Sequence, residues 1–208
     1  MMKMMKLRSI LLGAMTAVMI ALSMTACSDD DDDNDSFRGA TQAEKQTAFR
    51  NLTSKGTSGT ARVYYFKGNN ASIDSLKTDV QWRFTSDTTV VISGIPDSIF
   101  VSATSDASLR KAVTEGTPAT TTITGYINYQ MYKGQSYTFL NPIASEITIN
   151  YQDKSQTFRP LFNVNSYFVG FNYENHLVFN MVCPAYRLGT TGQNVNSLGD
   201  LAISVIAK

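Results

Sequence analysis

From residue 59 onward the chain is written with a period of two, broken every few residues by turn formers, and that pattern restricts the fold more than any other feature. Successive side chains of a strand point to opposite faces, so alternation of apolar and polar residues marks a strand with one face toward a core. The clearest long run is 121–132, where Ile123, Gly125, Ile127, Tyr129 and Met131 alternate with Thr124, Tyr126, Asn128, Gln130 and Tyr132. Residues 76–84 repeat the pattern, with Leu76, Thr78, Val80, Trp82 and Phe84 on one side and Lys77, Asp79, Gln81 and Arg83 on the other. Shorter runs are expected at 60–66, 89–93 and 137–140, and a last apolar one carries Leu201, Ile203 and Val205, suited to the inside of a sheet.

Turn chemistry supplies the connections. Residues 147–151 and 156–162 read as a hairpin about Gln152-Asp153-Lys154-Ser155, and 167–173 with 176–183 as a second about Glu174-Asn175. Lys67-Gly68-Asn69-Asn70 and Ser86-Asp87 read as turns, Pro96 and Asn141-Pro142 as strand stops, Gly125 as a bulge or bend, and 184–196 as a loop. Two stretches depart from the rhythm. Thr41-Gln42-Ala43-Glu44 has the form of a capping box ahead of Ala48, Phe49 and Leu52, which predicts an opening helix that stops near Gly56. Asp106 caps a second, short helix whose Leu109, Ala112 and Val113 share a face and whose end is marked by Gly116.

Nine or ten short strands with two helices and no βαβ rhythm predict a mainly β fold with antiparallel connections. The expected architecture is an antiparallel barrel of lipocalin-like shape or a two-sheet sandwich, with one N-terminal helix and one short inserted helix. No internal repeat points to a propeller or a solenoid.

The first 36 residues obey a different grammar. Lys3, Lys6 and Arg8 precede an apolar stretch, 10–22, too short to span a bilayer, which needs about 20 predominantly apolar residues. Small residues Thr25 and Ala26 then lead to Cys27, followed by Ser28, Asp29, Asp30, Asp31, Asp32 and Asp33. Met24-Thr25-Ala26-Cys27 resembles the lipobox of bacterial lipoproteins, with Met24 where the usual pattern has Leu. The run from Ser28 to Asp33 resembles the acidic export signal of surface-exposed lipoproteins of Bacteroidetes. The resemblance implies a diacylglyceryl thioether on Cys27, residence in the outer membrane at the cell surface, and a bilayer as partner. More than one acyl chain is what a stable anchor requires. The acidic block repels itself and should remain extended, as a tether. Residues 1–26 are thus expected to be a signal peptide, 27–36 a lipidated tether, and 37–208 one β-rich domain. The whole layout resembles uncharacterised lipoprotein families of gut Bacteroidetes, some with calycin-like barrels; that likeness carries no functional residues across.

The formal net charge of +1 hides a split, because six of the 17 acidic residues lie in the tether and three of the 18 basic ones in the leader. The remaining 15 basic and 11 acidic residues are scattered, with no basic stripe, which argues against nucleic acid as a partner. With Cys27 lipidated, Cys183 is left alone, without an internal disulfide, and reads as a small buried hydrophobe.

Catalytic signatures are sparse. Any triad or histidine-built zinc site would have to use His176, the single histidine, which falls at a hairpin tip, and no serine elbow occurs. Glycoside hydrolysis needs only two carboxylates, for which Asp79, Glu146 and Glu174 are the candidates, though each also reads as an outward strand or turn charge. No metal site and no cofactor is predicted, and a fixed cage is not expected from the repelling aspartates. The aromatic residues are the better lead. Trp82, Tyr126, Tyr129 and Tyr132 are the candidates for stacking on a ligand, and the same rings also suit the filling of a barrel. The sequence therefore predicts a non-catalytic binding or accessory module for a glycan, a peptide or a small apolar ligand. The alternatives are a structural subunit of a surface complex and a carboxylate-based hydrolase.

Overall fold

A computed structural model of the chain describes residues 36–67, 73–76, 78–189 and 195–208. Cys27 and the run Ser28, Asp29, Asp30, Asp31, Asp32 and Asp33 lie outside the described residues, as do most of the turn expected at 67–70 and part of the loop expected at 184–196.

The chain begins with β1 (Arg38–Gly39) and α1 (Gln42–Leu52), which runs on into a 3-10 turn, Thr53–Lys55. The expected capping box is present: the Glu44 N–H donates to the Thr41 hydroxyl, and the Glu44 carboxylate accepts from the Thr41 N–H. Arg38 braces it through a bidentate pair to Glu44, whose carboxyl is held down at about 2 by that guanidinium first and the Thr41 N–H second.

Strands β2 (Ser58–Lys67), β3 (Ile73–Ser75), β4 (Val80–Ser86) and β5 (Thr89–Pro96) follow, then a 3-10 turn, Asp97–Ile99, and α2 (Ala107–Thr114). Asp106 caps α2 by accepting from the Leu109 N–H at 2.9 Å, while Leu109, Ala112 and Val113 are buried, as their spacing predicts. After α2 come β6 (Thr120–Tyr132), β7 (Gln135–Ala144), β8 (Ile147–Tyr151), β9 (Lys154–Leu161), β10 (Val169–Phe171), β11 (Leu177–Leu188) and β12 (Val195–Ala207).

All twelve strands belong to one antiparallel sheet in the order β1-β6-β5-β4-β2-β12-β11-β9-β8, with β7 on β6, β3 on β2 and β10 on β11. The sheet curls into a half-barrel, the barrel-type member of the two expected architectures. Its flanks meet where the Leu140 N–H donates to the Tyr167 carbonyl at 3.0 Å and Phe139 bridges Phe168. The concave side is packed rather than hollow along its centre. Phe49 of α1 meets Phe84 edge-on at 5.4 Å, Phe84 meets Trp82 at 5.7 Å, and Trp82 meets Phe179 of β11 at 5.6 Å, so four rings join the helix to both flanks.

Several local expectations need correction. β4 starts at Val80 and does not include Leu76, Thr78 or Asp79, Lys77 lying outside the described residues; Ile73–Ser75 pairs with β2 as a separate strand. Gly125 makes no bulge, because register runs unbroken from Val90 through Gly125 to Pro142. Glycine is required there by packing: a Cβ would come within 2.4 Å of Leu140 Cδ1 and 3.0 Å of Val90 Cγ1. Pro142 does not stop β7, since the outer edge of that strand is bridged only near Leu140 and a missing N–H costs little on a largely free edge. β11 likewise continues past Pro184, where the register shifts between Cys183 and Ala185, so much of the expected loop is strand.

One buried acid carries a prediction. Asp97 is 1% exposed; its Oδ1 accepts from the Thr121 hydroxyl at 2.6 Å, and its Oδ2 has no partner among the described residues. Burial pushes this carboxyl up to about 6, against the opposing pull of the Thr121 bond. A carboxyl that holds its proton more tightly when folded than when unfolded contributes stability that is complete below about pH 4 and lost as pH rises through about 6. Denaturant melts across this range should show the native chain losing roughly 1–3 kcal/mol relative to Asp97→Asn. Parallel pH profiles for the two chains would refute the assignment.

Candidate ligand groove

The sequence-derived aromatic candidates do not converge. Trp82 and Tyr129 face the concave side and are buried, Trp82 against Phe84 and Phe179, Tyr129 with its hydroxyl donating to the Asp87 carbonyl at 2.5 Å. Burial raises the Tyr129 hydroxyl well above the usual phenol range, which suits a structural donor. Tyr126 and Tyr132 face the convex side of β6, six residues apart and so about 20 Å from each other. Tyr126 is half exposed, whereas Tyr132 stacks on Phe37 at 4.9 Å in a ladder that continues through Tyr137 and Phe139 to Phe168.

What the fold does assemble is a groove of about 460 Å³ on the convex face of β2, β12, β11 and β10. That volume lies within the range of about 300–1,000 Å³ common for small-molecule sites. Two cross-strand rows make its floor. In the first, Arg62, Ile206, Val178 and Gly170 stand side by side on four strands; in the second, Tyr64, Ser204 and Asn180 lead to Phe168, whose carbonyl accepts from the Asn180 N–H. At about 4.8 Å between strands, each row spans roughly 14 Å.

The groove is amphipathic. Ile206 and Val178 form an apolar strip, Tyr64, Phe168 and Phe171 supply rings, and the buried Ser204 hydroxyl donates to Asn180 Oδ1 at 2.7 Å across the floor. One end is a rigid turn, in which Asn172 Oδ1 accepts from both the Glu174 and the His176 N–H at 3.0 and 2.9 Å. Its left-handed residue is Asn175 (φ 61°), a residue type that tolerates this conformation. Gly170 leaves the floor open: its φ is not positive, and a Cβ built there meets nothing within 4 Å.

Charge is distributed unevenly. Lys208 is tied to Asp79 at 2.5 Å, and the Tyr173 hydroxyl donates to Glu174 at 3.0 Å. The Arg62 guanidinium is exposed and has no acidic partner among the described residues. His176, at the hairpin tip as expected, is exposed and lines the same groove.

The three carboxylates considered for hydrolysis are held separately, Asp79 by Lys208, Glu146 by Arg159, and Glu174 by the Tyr173 hydroxyl. Among the described residues no group of three or more His, Cys, Asp or Glu is placed to hold a metal ion. Cys183 is fully buried in β11, as its sequence context predicts, and burial pushes its thiol up to about 12.

Residues 55–188 match the family model described as a domain of unknown function, DUF4840. The chain belongs to that family. In this DUF4840 chain the matched segment opens just before β2 and ends with β11, leaving β12 outside it although β12 lies between β2 and β11 in the sheet. No match was found among curated proteins or among solved structures. Sequence reasoning missed Arg62, Phe168, Gly170 and Asn180 as a group, because the groove joins positions from residue 62 to residue 208 and no local motif marks it.

Proposed function

We propose that this chain is a lipid-anchored binding module at the cell surface, with the convex groove as its ligand site and no catalytic role. The groove carries the reading: a cleft of ligand size that combines rings, an apolar strip and free polar groups is the chemistry of recognition. The lipobox at Met24-Thr25-Ala26-Cys27 and the acidic run behind it support anchoring in the outer membrane, as in uncharacterised surface lipoproteins of Bacteroidetes. An assembly role is less favoured, since β12 is paired on both sides through 201–206 and offers no strand to donate.

Two measurements test the proposal. Metabolic labelling with an alkyne fatty acid should mark the native chain and leave Cys27→Ala unlabelled; equal labelling of the two would remove the anchor. For the site, a panel of glycans, peptides and apolar molecules should yield ligands whose binding is lost in Gly170→Phe, which fills the groove at a position with room for a side chain. Ligands that bind Gly170→Phe as well as the native chain would show that the groove is not the site.

A further inference from the structure

The groove separates its charges, with Glu174 on the hairpin turn, held by the Tyr173 hydroxyl, and Arg62 on β2. Arg62 stands at one end of a row whose other members, Ile206, Val178 and Gly170, are uncharged, and no acid neutralises it among the described residues. Its planar fork is matched to a carboxylate, which it binds through two parallel hydrogen bonds. Next to it on β2, two residues on and on the same face, Tyr64 presents a half-buried ring and a hydroxyl without a partner among the described residues. Across the floor stands Phe168, fixed in place by Tyr137 at 5.8 Å and Phe139 at 4.9 Å.

Resting on the reading of the groove as the ligand site, we propose that it takes an acidic glycan, with a uronic-acid carboxylate on Arg62 and the sugar faces against Tyr64 and Phe168. Sugars offer C–H faces to rings and hydroxyls to amides, and the groove supplies both, the amides being Asn172 and Asn180. An acidic peptide fits less well. An extended peptide gains most from adding a strand to a sheet edge, but the floor strand β12 is hydrogen-bonded on both sides, and β11 lies between β12 and β10. Arg62 is then the specificity residue, since its positive charge distinguishes the acidic sugar from its neutral counterpart.

The test uses titration calorimetry on the full chain with three probes: an oligogalacturonate, its carboxyl-reduced neutral counterpart, and a glutamate-rich peptide. The native chain should bind the oligogalacturonate roughly ten-fold or more tightly than the reduced form, with the preference weakening as salt rises. Arg62→Gln, a change at an exposed position, should erase that preference while leaving the weaker binding of the neutral sugar intact. Equal binding of acidic and neutral sugars, retention of the preference in Arg62→Gln, or equally tight Arg62-dependent binding of the peptide would each overturn the acidic-glycan assignment without touching the groove. Absence of all sugar binding would also overturn it. Binding that survives Gly170→Phe, with any probe, would instead remove the groove itself as the site.

Discussion

A chain that ends at Leu188, where the family match ends, is expected not to fold. β12 is the strand that joins the two halves of the sheet: Leu201, Ala202, Ile203, Ser204, Val205, Ile206 and Ala207 pair with β2, and the same stretch up to Ile206 pairs with β11. Without it the sheet falls into β1-β6-β5-β4-β2 on one side and β11-β9-β8 on the other, held among the described residues by short bridges, where Phe139 and Leu140 meet residues 167–168 and where Thr117, just before β6, exchanges hydrogen bonds with Thr148 of β8. The inward side chains Leu201, Ile203 and Val205 are each 0–1% exposed. Removing three such residues forfeits about 1.5–3 kcal/mol apiece. Two buried strand edges also lose their partners, and the whole domain has only about 5–15 kcal/mol to lose. Circular dichroism and a thermal melt decide the matter. A cooperative transition in residues 37–188 within a few degrees of that in residues 37–208 would show that β12 is an appendage rather than the join.

The second large effect is expected at Phe179. This ring is fully buried on the concave face of β11 and touches both Trp82 and Phe84, at 5.6 and 6.1 Å. Phe84 in turn carries Phe49 of α1. Phe179→Ala removes the ring on which the β4 side of this cluster rests, and nothing nearby is free to move in, because Met181, Ile203 and Val205 are themselves buried in strands of fixed register. The loss should be about 3–5 kcal/mol, the range for deleting a buried aromatic side chain. Urea unfolding followed by Trp82 fluorescence reports on the same cluster, since Trp82 is the single tryptophan. A loss below 1 kcal/mol with an unchanged denaturant dependence would mean that the four rings are not a unit.

The contrast between Asp106 and Gly125 shows how far local reading reaches. Asp106 was legible as a helix cap because the bond it makes, to the Leu109 N–H, closes within three residues. The Thr41 capping box and the hairpin about Gln152 and Asp153, both left-handed at φ 53° and 58°, are local in the same sense. Gly125 was misread as a bulge because its reason lies in Leu140 and Val90, fifteen and thirty-five residues away in the chain, which close over it only in the assembled sheet. Pro142 was misread for a related reason. Whether a missing N–H is harmful depends on which side of the strand has a neighbour, and that is a property of the sheet order.

The candidate site follows the same division. The alternation in β6 indicated that Tyr129 and Tyr126 lie on opposite faces, yet nothing in it revealed that Tyr132 would be engaged by Phe37 or that Trp82 would be enclosed by Phe179. Mainly β character, antiparallel hairpins and both helices were determined by the chain alone, because pairing between neighbours and capping are decided within a few residues. Strand order, the half-barrel curl and the groove between Arg62 and Gly170 were decided only by tertiary structure. A cross-strand row takes one residue from each of four strands, and the register that brings them together is set by burial of the opposite face.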